Sequence, residues 1–307
     1  MRESRVLLLT NPSAHARYVA ETLHKTVGLA GIVVEDPRFG VQRMRGHSTR
    51  ALFVDRLYGY LSVSRTWLRG ERLRARVQLI GEQLIREAKR EFLRDTGFTP
   101  GPWPKSLPVH STPGINRDET LAWCRERSPD LLLVCGTSIL KPPLIALPRL
   151  GALNAHTSLL PAYRGMFPEF WQVLQAHLAS AGVTVHFIDA GVDSGDLILQ
   201  RKVEACPPLS PWRLRNRNVV LTAQLLGEAA AQVLAGSALR RPQPQSAQRP
   251  YRARDITLEK QVELLRVLGF RLPGLARHAR APEQIRERNS APWSHAGQDR
   301  GASGRPS

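Results

Sequence analysis

The chain has 307 residues, 42% of them hydrophobic, so it can bury one substantial core with additional segments. Its three cysteines, Cys124, Cys135 and Cys206, are odd in number and lack Cys-x-x-Cys spacing. That pattern argues against a disulfide framework or a thiolate zinc site and fits a reducing cytosol. No apolar run reaches the roughly 18 residues of a membrane span, and the first run is too short for a signal peptide. A cytoplasmic protein is predicted.

The net charge of +18 is unevenly distributed along the chain. Residues 41–105 and residues 240–307 each hold fourteen Lys and Arg against six Asp and Glu. Clustered cations attract nucleic acid, but an Arg-rich composition can also reflect a bias that has no binding role. Because no stacking aromatics alternate with these charges, we treat nucleic-acid binding as a minority alternative.

The amino-terminal segment has the pattern of a parallel α/β sheet. Residues 6–10 are an apolar run typical of a buried strand, and Ser13 offers an N-cap for a helix through about Val27. Residues 31–35 predict the next strand. No Gly-x-Gly-x-x-Gly loop joins these elements, which disfavours a dinucleotide site.

Residues 41–105 interrupt this sheet pattern as a basic insert. Within it, residues 71–93 have apolar side chains at helical spacing. These are Leu73, Val77, Ile80, Leu84, Ala88 and Phe92. We expect the stripe to pack on the rest of the chain or on a second subunit, so a homodimer is an alternative. Four prolines in residues 97–108 then predict a loop that returns to the sheet.

The second half of the chain continues the α/β pattern. Helices are predicted at residues 119–127, 168–179 and 210–234, and strands at residues 131–135, 150–156, 183–188 and 197–203. Trp171 is expected on the buried face of its helix. An extended segment begins near residue 240, and the Pro, Gly, Ser and Arg content beyond residue 281 predicts a disordered tail.

An amide, an imidazole and a carboxylate are the candidate chemical groups. Asn154 and His156 are two residues apart, so a strand presents both side chains on one face near its end. Asp193 lies in the turn Gly-Val-Asp-Ser-Gly. Taken singly, each of the three is more often an ordinary turn or strand-end residue. Together they suit an acyl-transfer site. Their place at a strand end agrees with this, because α/β sheets bind ligands at such ends.

These residues carry a resemblance to a known family. The Asn-x-His strand end is followed by Ser158-Leu-Leu-Pro161, by Tyr163-Arg164-Gly165 and by the segment 186–195. The chain therefore resembles the formyltransferases that use 10-formyltetrahydrofolate, which include glycinamide ribonucleotide, methionyl-tRNA and sugar-nucleotide formyltransferases. The resemblance is good over about residues 130–203 and weaker over residues 5–40.

The resemblance implies a Rossmann-like formyltransferase sheet with flanking helices, a helical insert and a short C-terminal extension. Residues 1–40 and 106–238 would form the catalytic domain, with the insert at 41–105, the extension at 239–280 and the tail at 281–307. The expected catalytic residues are Asn154, His156 and Asp193. The expected folate-binding residues are Gly136, Thr137, Ser138, Ile139, Leu140, Asp189, Gly191 and Val192. The residues expected to bind substrate are Ser158, Tyr163 and Arg164.

Formyl transfer to an amine creates negative charge on the formyl oxygen and a surplus proton on the attacking nitrogen. Asn154 and His156 can donate to the oxygen, a contribution of about 3–4 kcal/mol per preorganised donor. Asp193 can hold His156 in a productive protonation state and relay the amine proton, directly or through water.

Several other polar residues have simpler interpretations. His186 precedes Asp193 closely enough to line the site, but a half-buried strand histidine is the favoured interpretation. Ser158 lacks a Gly-x-Ser-x-Gly elbow and is assigned to loop hydrogen bonding, not to nucleophilic attack. Cys135 is expected to be a core residue. Asp189 and Asp196 near Asp193 do not predict a metal, because a tight turn does not guarantee converging ligands.

The acceptor predicted from the sequence is the amine of a small metabolite, such as an amino-sugar nucleotide. The 112 residues after Gly195 hold too little strand-forming sequence for the RNA-binding β-barrel of transfer-RNA formyltransferases. A methionyl-tRNA formyltransferase is the main alternative. A formyl-folate hydrolase and a basic nucleic-acid-binding protein are further alternatives.

Overall fold

The computed structural model describes residues 4–37, 71–205, 209–244 and 246–272. Its strands are β1 Val6–Thr10, β2 Leu29–Glu35, β3 Val109–Thr112, β4 Leu131–Cys135, β5 Ala152–His156, β6 Gly182–Phe187 and β7 Leu197–Lys202. Its helices, numbered over the described residues, are α1 Ala14–Val27, α2 Glu71–Thr96, α3 Asp118–Glu126, α4 Pro142–Ile145, α5 Pro168–Leu174, α6 Pro211–Leu234 and α7 Leu258–Val267. The predicted α/β class is confirmed.

All seven strands form one sheet in the order β3-β2-β1-β4-β5-β6-β7. The first five strands of the chain are parallel, whereas β6 and β7 run antiparallel to their neighbours. The carboxyl ends of β1, β2, β4 and β5 therefore meet at one edge of the sheet, where α/β proteins bind ligands.

Apolar side chains cover both faces of the sheet. Helices α1 and α6 pack on one face, where Leu8, Leu133 and Val185 are fully buried. The opposite face carries Leu9, Leu132 and Ala152 and is covered by residues of α3 and α4. Alternation along each strand separates the two sets, and removing this apolar area from water is the main stabilising contribution.

The local signals for the first helix are observed as predicted. The Ser13 side chain accepts a hydrogen bond of 3.1 Å from the Ala16 backbone N–H, which satisfies one of the unpaired donors of the first turn. Gly28 ends the helix in the left-handed conformation at a φ of 74°. Residues next to the two ends of α1 therefore determine where the chain enters this helix from β1 and where it leaves it toward β2.

Helix α2 packs against the rest of the chain, which confirms the expected role of its apolar stripe. Val77 is buried with Val262 and Leu265 of α7. Farther along, Phe92 lies edge-on to the ring of Tyr18 on α1, with ring centroids 5.3 Å apart. On α6, the Asn216 side chain donates to the Ala88 carbonyl at 2.7 Å. The boundary of the insert at residue 41 lies outside the described residues, as does the tail 281–307.

Four elements differ from the sequence prediction, and one of them is the short helix α4, which was not predicted. Strand β3 was not predicted, because its four residues at the sheet edge alternate weakly between apolar and polar. Helix α7 was also missed, within the segment predicted to be extended. Helix α5 ends at Leu174, short of the predicted residue 179, because Ala176 takes a φ of 52°. Within the described residues, no helix combines the length and apolarity that a membrane crossing demands.

Candidate active site

Three polar side chains share one face of β5 and β6. Asn154 and His156 alternate with Ala155 along β5, and His186 is the direct cross-strand partner of Asn154. The Asn154 Nδ2 atom lies 3.1 Å from the His186 Nε2 atom. Backbone pairing therefore places an amide and a second imidazole together beside His156, whose side chain is buried.

The connection between β6 and β7 carries Asp193 back over this face. The Asp193 Oδ2 atom lies 3.5 Å from His156 Nδ1, and its Oδ1 atom lies 3.6 Å from His186 Nε2. Asn154 Nδ2 is 3.4 Å from the same Oδ1 atom. The structure thus brings the three predicted catalytic residues together and adds His186 to them.

The electrostatic environment keeps the Asp193 carboxylate charged. Burial by itself raises the pKa of this carboxyl group, but the neighbouring imidazoles of His156 and His186 oppose that effect. A bond of 2.7 Å from the Gly165 backbone N–H adds to the opposing effect. The net result is a pKa well below the usual range of an aspartate.

Both ring nitrogens of His156 face oxygen acceptors. Nε2 lies 2.9 Å from the Tyr163 backbone carbonyl, and Nδ1 faces Asp193. A ring that carries protons on both nitrogens is therefore satisfied at both. The His156 side chain therefore connects β5 to the loop that follows this strand.

The predicted substrate-binding residues lie in that loop and face different surroundings. The Ser158 side chain is fully buried and donates to the Ala162 carbonyl at 2.6 Å, so it stabilises the loop and is not presented to a ligand. The Tyr163 hydroxyl is within 3.0 Å of both Gln175 and His177 and is likewise enclosed. Of these three residues, Arg164 alone reaches the turn that carries Asp193.

Arg164 and Gly165 connect the loop to the Asp193 turn. The Arg164 guanidinium donates to the Val192 carbonyl from Nε at 2.9 Å and from Nη2 at 2.6 Å. Gly165 has a φ of +91°, and a Cβ there would lie 2.2 Å from the Tyr251 carbonyl oxygen. Glycine is required at this position because the backbone of the C-terminal segment occupies the space of a side chain.

The predicted folate loop, residues 136–140, follows β4. The carboxylate of Glu35, buried at the end of β2, accepts from the Ser138 backbone N–H at 2.7 Å and from the Ser138 hydroxyl at 2.6 Å. The Asn116 side chain donates to the Ile139 carbonyl at 2.9 Å. The loop is therefore rigidly held, while the Ile139 side chain remains 69% exposed.

The second predicted folate segment, residues 189–192, is a compact turn. Asp189 accepts bonds from the Gly191 backbone N–H at 3.0 Å and from the Ser194 hydroxyl at 2.8 Å. The side chain of Ile188, which leads into this turn, packs on the same apolar cluster as Leu140 of the other folate segment. The two segments therefore lie over one apolar face.

Other candidate chemistries find no support in the described residues. Burial raises the pKa of the Cys135 thiol to about 11, so this side chain stays protonated at neutral pH. Among the described parts of the chain, no group of three or more His, Cys, Asp and Glu side chains has the arrangement of a metal site.

Sequence reasoning missed several residues that shape this site. His186 is favoured as a structural histidine by the sequence, and only the pairing of β5 with β6 places it opposite Asn154. Glu35 closes its strand and could have been singled out as a carboxylate at the ligand-binding edge. No local signal marks Asn116, which holds Ile139, or Gln243, whose side chain donates to the Asp193 and Gly195 carbonyls, because each acts across a long separation in sequence.

Comparison with known proteins identifies the family. Residues 75–229 match the family model for formyl transferase. The methionyl-tRNA formyltransferase of Ruminiclostridium cellulolyticum is 31% identical over 164 residues, which cover 53% of this chain and 49% of that protein. The protein of the same name from Koribacter versatilis is 38% identical over 133 residues, covering 43% and 42% of the two chains. The chain thus spans about half the length of these curated relatives or less.

Solved structures share the fold. A sugar N-formyltransferase from a Shewanella species aligns with a TM-score of 0.52 at 13% identity, over 87% of this chain and 88% of the other. A 4-N formyltransferase from Francisella tularensis aligns with the same TM-score and coverage at 15% identity. At these identities the likeness shows the fold alone. Because the matching family model covers half of its length, the chain belongs to the formyl transferase family.

Proposed function

We propose that the protein transfers a formyl group from 10-formyltetrahydrofolate to a primary amine. The observation that carries this proposal is the convergence of Asn154, His156 and Asp193 within 3.4–3.5 Å in a chain of this family. The amine nitrogen attacks the formyl carbon of the donor, and the new carbon–nitrogen bond replaces the bond from that carbon to folate N10. The proton lost by the amine passes through water to this departing nitrogen. The protein must then stabilise charge on the carbonyl oxygen and on the nitrogen.

Asp193 is proposed to act through its charge. A carboxylate whose pKa is held down is a weak final acceptor of a proton, so permanent removal of the amine proton does not suit it. Its negative charge does suit the positive charge that develops on the attacking nitrogen. It also lies 3.5 Å from Nδ1 of the His156 ring and so helps to orient that ring.

Asn154 and His156 are proposed to stabilise the developing oxyanion. In the described arrangement the Asn154 amide donates to His186 and to Asp193, so it is oriented before any ligand arrives. A formyl oxygen can replace one of these acceptors. Preorganised donors of this kind each contribute about 3–4 kcal/mol to transition-state stabilisation.

The two predicted folate segments carry backbone and apolar groups of the kind that bind a pterin ring. Residues 136–140 present backbone groups on a loop made rigid by Glu35 and Asn116, and the exposed Ile139 side chain adds apolar surface. Leu140 and Ile188 provide a shared apolar base for the two segments. We propose that residues 136–140 and 189–193 hold the pterin between them, with polar backbone atoms at the ring edge.

A small amine is the proposed acceptor. Support comes from the segment after α6, which over the described residues to 272 contains an extended stretch and the helix α7 and no strand of a barrel. The second candidate is a methionyl-tRNA acceptor, because the curated relatives over the matched half carry that name. The basic residues of the chain suit the phosphates of either acceptor.

Turnover with a panel of acceptors tests this proposal. Purified protein is mixed with 10-formyltetrahydrofolate and with amino-sugar nucleotides, hydroxylated ornithine, ribonucleotide amines or charged initiator tRNA. Tetrahydrofolate release is measured together with the mass of the acceptor. We expect formylation of at least one small amine. Formylation of the tRNA alone would establish the second candidate, and folate release without any formylated acceptor would indicate a hydrolase.

Variants test the assigned residues. We expect Asn154→Ala, His156→Ala and Asp193→Ala each to lower kcat/KM about 100-fold or more, while the circular dichroism spectrum stays unchanged. Gln224→Ala is the control, since this glutamine lies exposed on α6. Losses below about tenfold for all three, roughly 1.4 kcal/mol, would contradict the assignment.

A further inference from the structure

Gln243 holds the backbone of the turn that presents Asp193. Its Nε2 atom donates to the Asp193 carbonyl at 3.2 Å and to the Gly195 carbonyl at 2.6 Å. We propose that Gln243 is a positioning residue, which sets the place of the Asp193 carboxylate in the catalytic group. The expected effect of Gln243 on catalysis rests on the proposed function. Its expected effect on the position of the turn rests on the geometry alone.

Backbone pairing places Gln243 accurately beside the turn. Leu197 at the start of β7 and Arg241 exchange two backbone hydrogen bonds, of 2.8 Å and 2.9 Å. The C-terminal segment therefore adds to the edge of the sheet next to the Asp193 turn. The Gln243 side chain, two residues later, points toward the turn from a partly buried position.

The turn needs support from outside because its conformation is strained. Asp193 has a φ of 48°, in the left-handed region that side chains other than glycine seldom adopt. Gly195 is tightly confined, since a Cβ there would lie 2.0 Å from the Phe187 carbonyl oxygen. Strained backbone at a functional site persists only where neighbouring groups over-determine it.

Two side chains share the carbonyls of this turn between them. Arg164 takes the Val192 carbonyl, and Gln243 takes the next carbonyl, that of Asp193, together with the carbonyl of Gly195. Because they bind different carbonyls, neither duplicates the other. Without Gln243, the Asp193 and Gly195 carbonyls lose their side-chain donor.

The same C-terminal segment also holds Gly165, whose backbone N–H donates to the Asp193 carboxylate. The Tyr251 N–H donates to the Arg164 carbonyl at 2.8 Å, and the Tyr251 carbonyl accepts from the Met166 N–H at 2.9 Å. Between these bonds lies Gly165, whose N–H donates to Asp193. Gln243 and Tyr251 therefore hold the two ends of the bond between Gly165 and Asp193. Both anchors lie beyond residue 229, where the family match ends.

Hydrogen exchange tests the structural consequence without any substrate. The Gly165 amide is protected by its bond to Asp193, and its exchange rate reports how often that bond opens. We expect Gln243→Ala to raise this rate at least about tenfold, as the loss of two hydrogen bonds allows. Gln243→Glu keeps the size but lacks the two N–H donors, and should raise the rate at least as much. Gln224→Ala on α6 should leave it unchanged.

Kinetics test the catalytic consequence through a double-mutant cycle. We expect Gln243→Ala to lower kcat about tenfold, because the Asp193 carboxylate is then less firmly placed beside His156. In an Asp193→Asn background the same change should lower kcat less than twofold, because its effect acts through the carboxylate. A purely structural role would instead reduce kcat equally in both backgrounds. Gln243→Asn, which shortens the reach while remaining polar, replaces Gln243→Ala if that variant does not fold.

The outcomes separate the two proposals. Unchanged exchange at Gly165 in both Gln243→Ala and Gln243→Glu would overturn the positioning role, whatever the enzyme does. Faster exchange together with equal kcat losses in both backgrounds would also overturn it. Faster exchange in a protein that formylates no acceptor would support the positioning of Asp193 and would instead count against the proposed function.

Discussion

Asn154 and His186 face each other directly across β5 and β6, with the Asn154 Nδ2 atom 3.1 Å from the His186 Nε2 atom. His186 Nδ1 lies 2.8 Å from the Phe187 carbonyl, which can only accept. The bonding pattern therefore assigns the proton to Nδ1 and leaves Nε2 to accept from the amide. The orientation of the Asn154 amide depends on a second histidine that never needs to touch the formyl group.

His186→Ala is expected to lower kcat about 10- to 100-fold, because the Asn154 amide loses the acceptor that orients it. Steady-state kinetics with the best acceptor measures the change. His110→Ala is the matched control, since His110 lies on β3 at the opposite edge of the sheet. An equal loss in both variants would show that the effect is general and not specific to the site.

Asp193→Asn is expected to change the pH dependence of stability. The folded-state pKa of Asp193 is lowered, so its carboxylate contributes stability fully above the unfolded-state pKa of about 4 and loses it as the pH falls further. The difference in unfolding free energy between the wild type and the variant should shrink as the pH falls below about 4. Urea titrations at several pH values measure it. A difference that grows in acid would refute the assignment.

Gly165→Ala is expected to destabilise the protein by roughly 2–4 kcal/mol, because a Cβ would meet the Tyr251 carbonyl oxygen at 2.2 Å in a left-handed backbone. Gly101→Ala provides the comparison, since a Cβ there has nothing within 4 Å and its φ is not in the left-handed region. We expect that control to be within about 0.5 kcal/mol of the wild type. Similar unfolding midpoints for the two variants would disprove the close approach of Tyr251.

Val77→Asp is expected to destabilise the protein by about 3 kcal/mol or more, because it places a carboxylate in the apolar cluster between α2 and α7. Leu79→Asp, two residues away, should change stability by less than about 1 kcal/mol, because Leu79 is 63% exposed. Thermal unfolding of both variants gives the comparison. Equal effects at the two positions would mean that α2 does not dock through this face.

The sequence by itself determined six of the seven strands, all but β3, and the types of residue in the site. Apolar runs at Val6–Thr10 and Leu131–Cys135 identified central strands, and Ser13 marked a helix start, because each signal depends only on neighbouring residues. Asn154 and His156 could be placed on one strand face for the same reason. The motif around them carried the resemblance to a family.

Only the tertiary structure decided how these residues meet. Antiparallel pairing of β5 with β6 set His186 against Asn154, and the fold-back of a strained turn brought Asp193 within 3.5 Å of His156. Gln243 reaches that turn from 50 residues away in sequence. Such contacts depend on strand register and on the path of distant segments, and no local pattern encodes them, because their free energy appears only when the whole sheet is assembled.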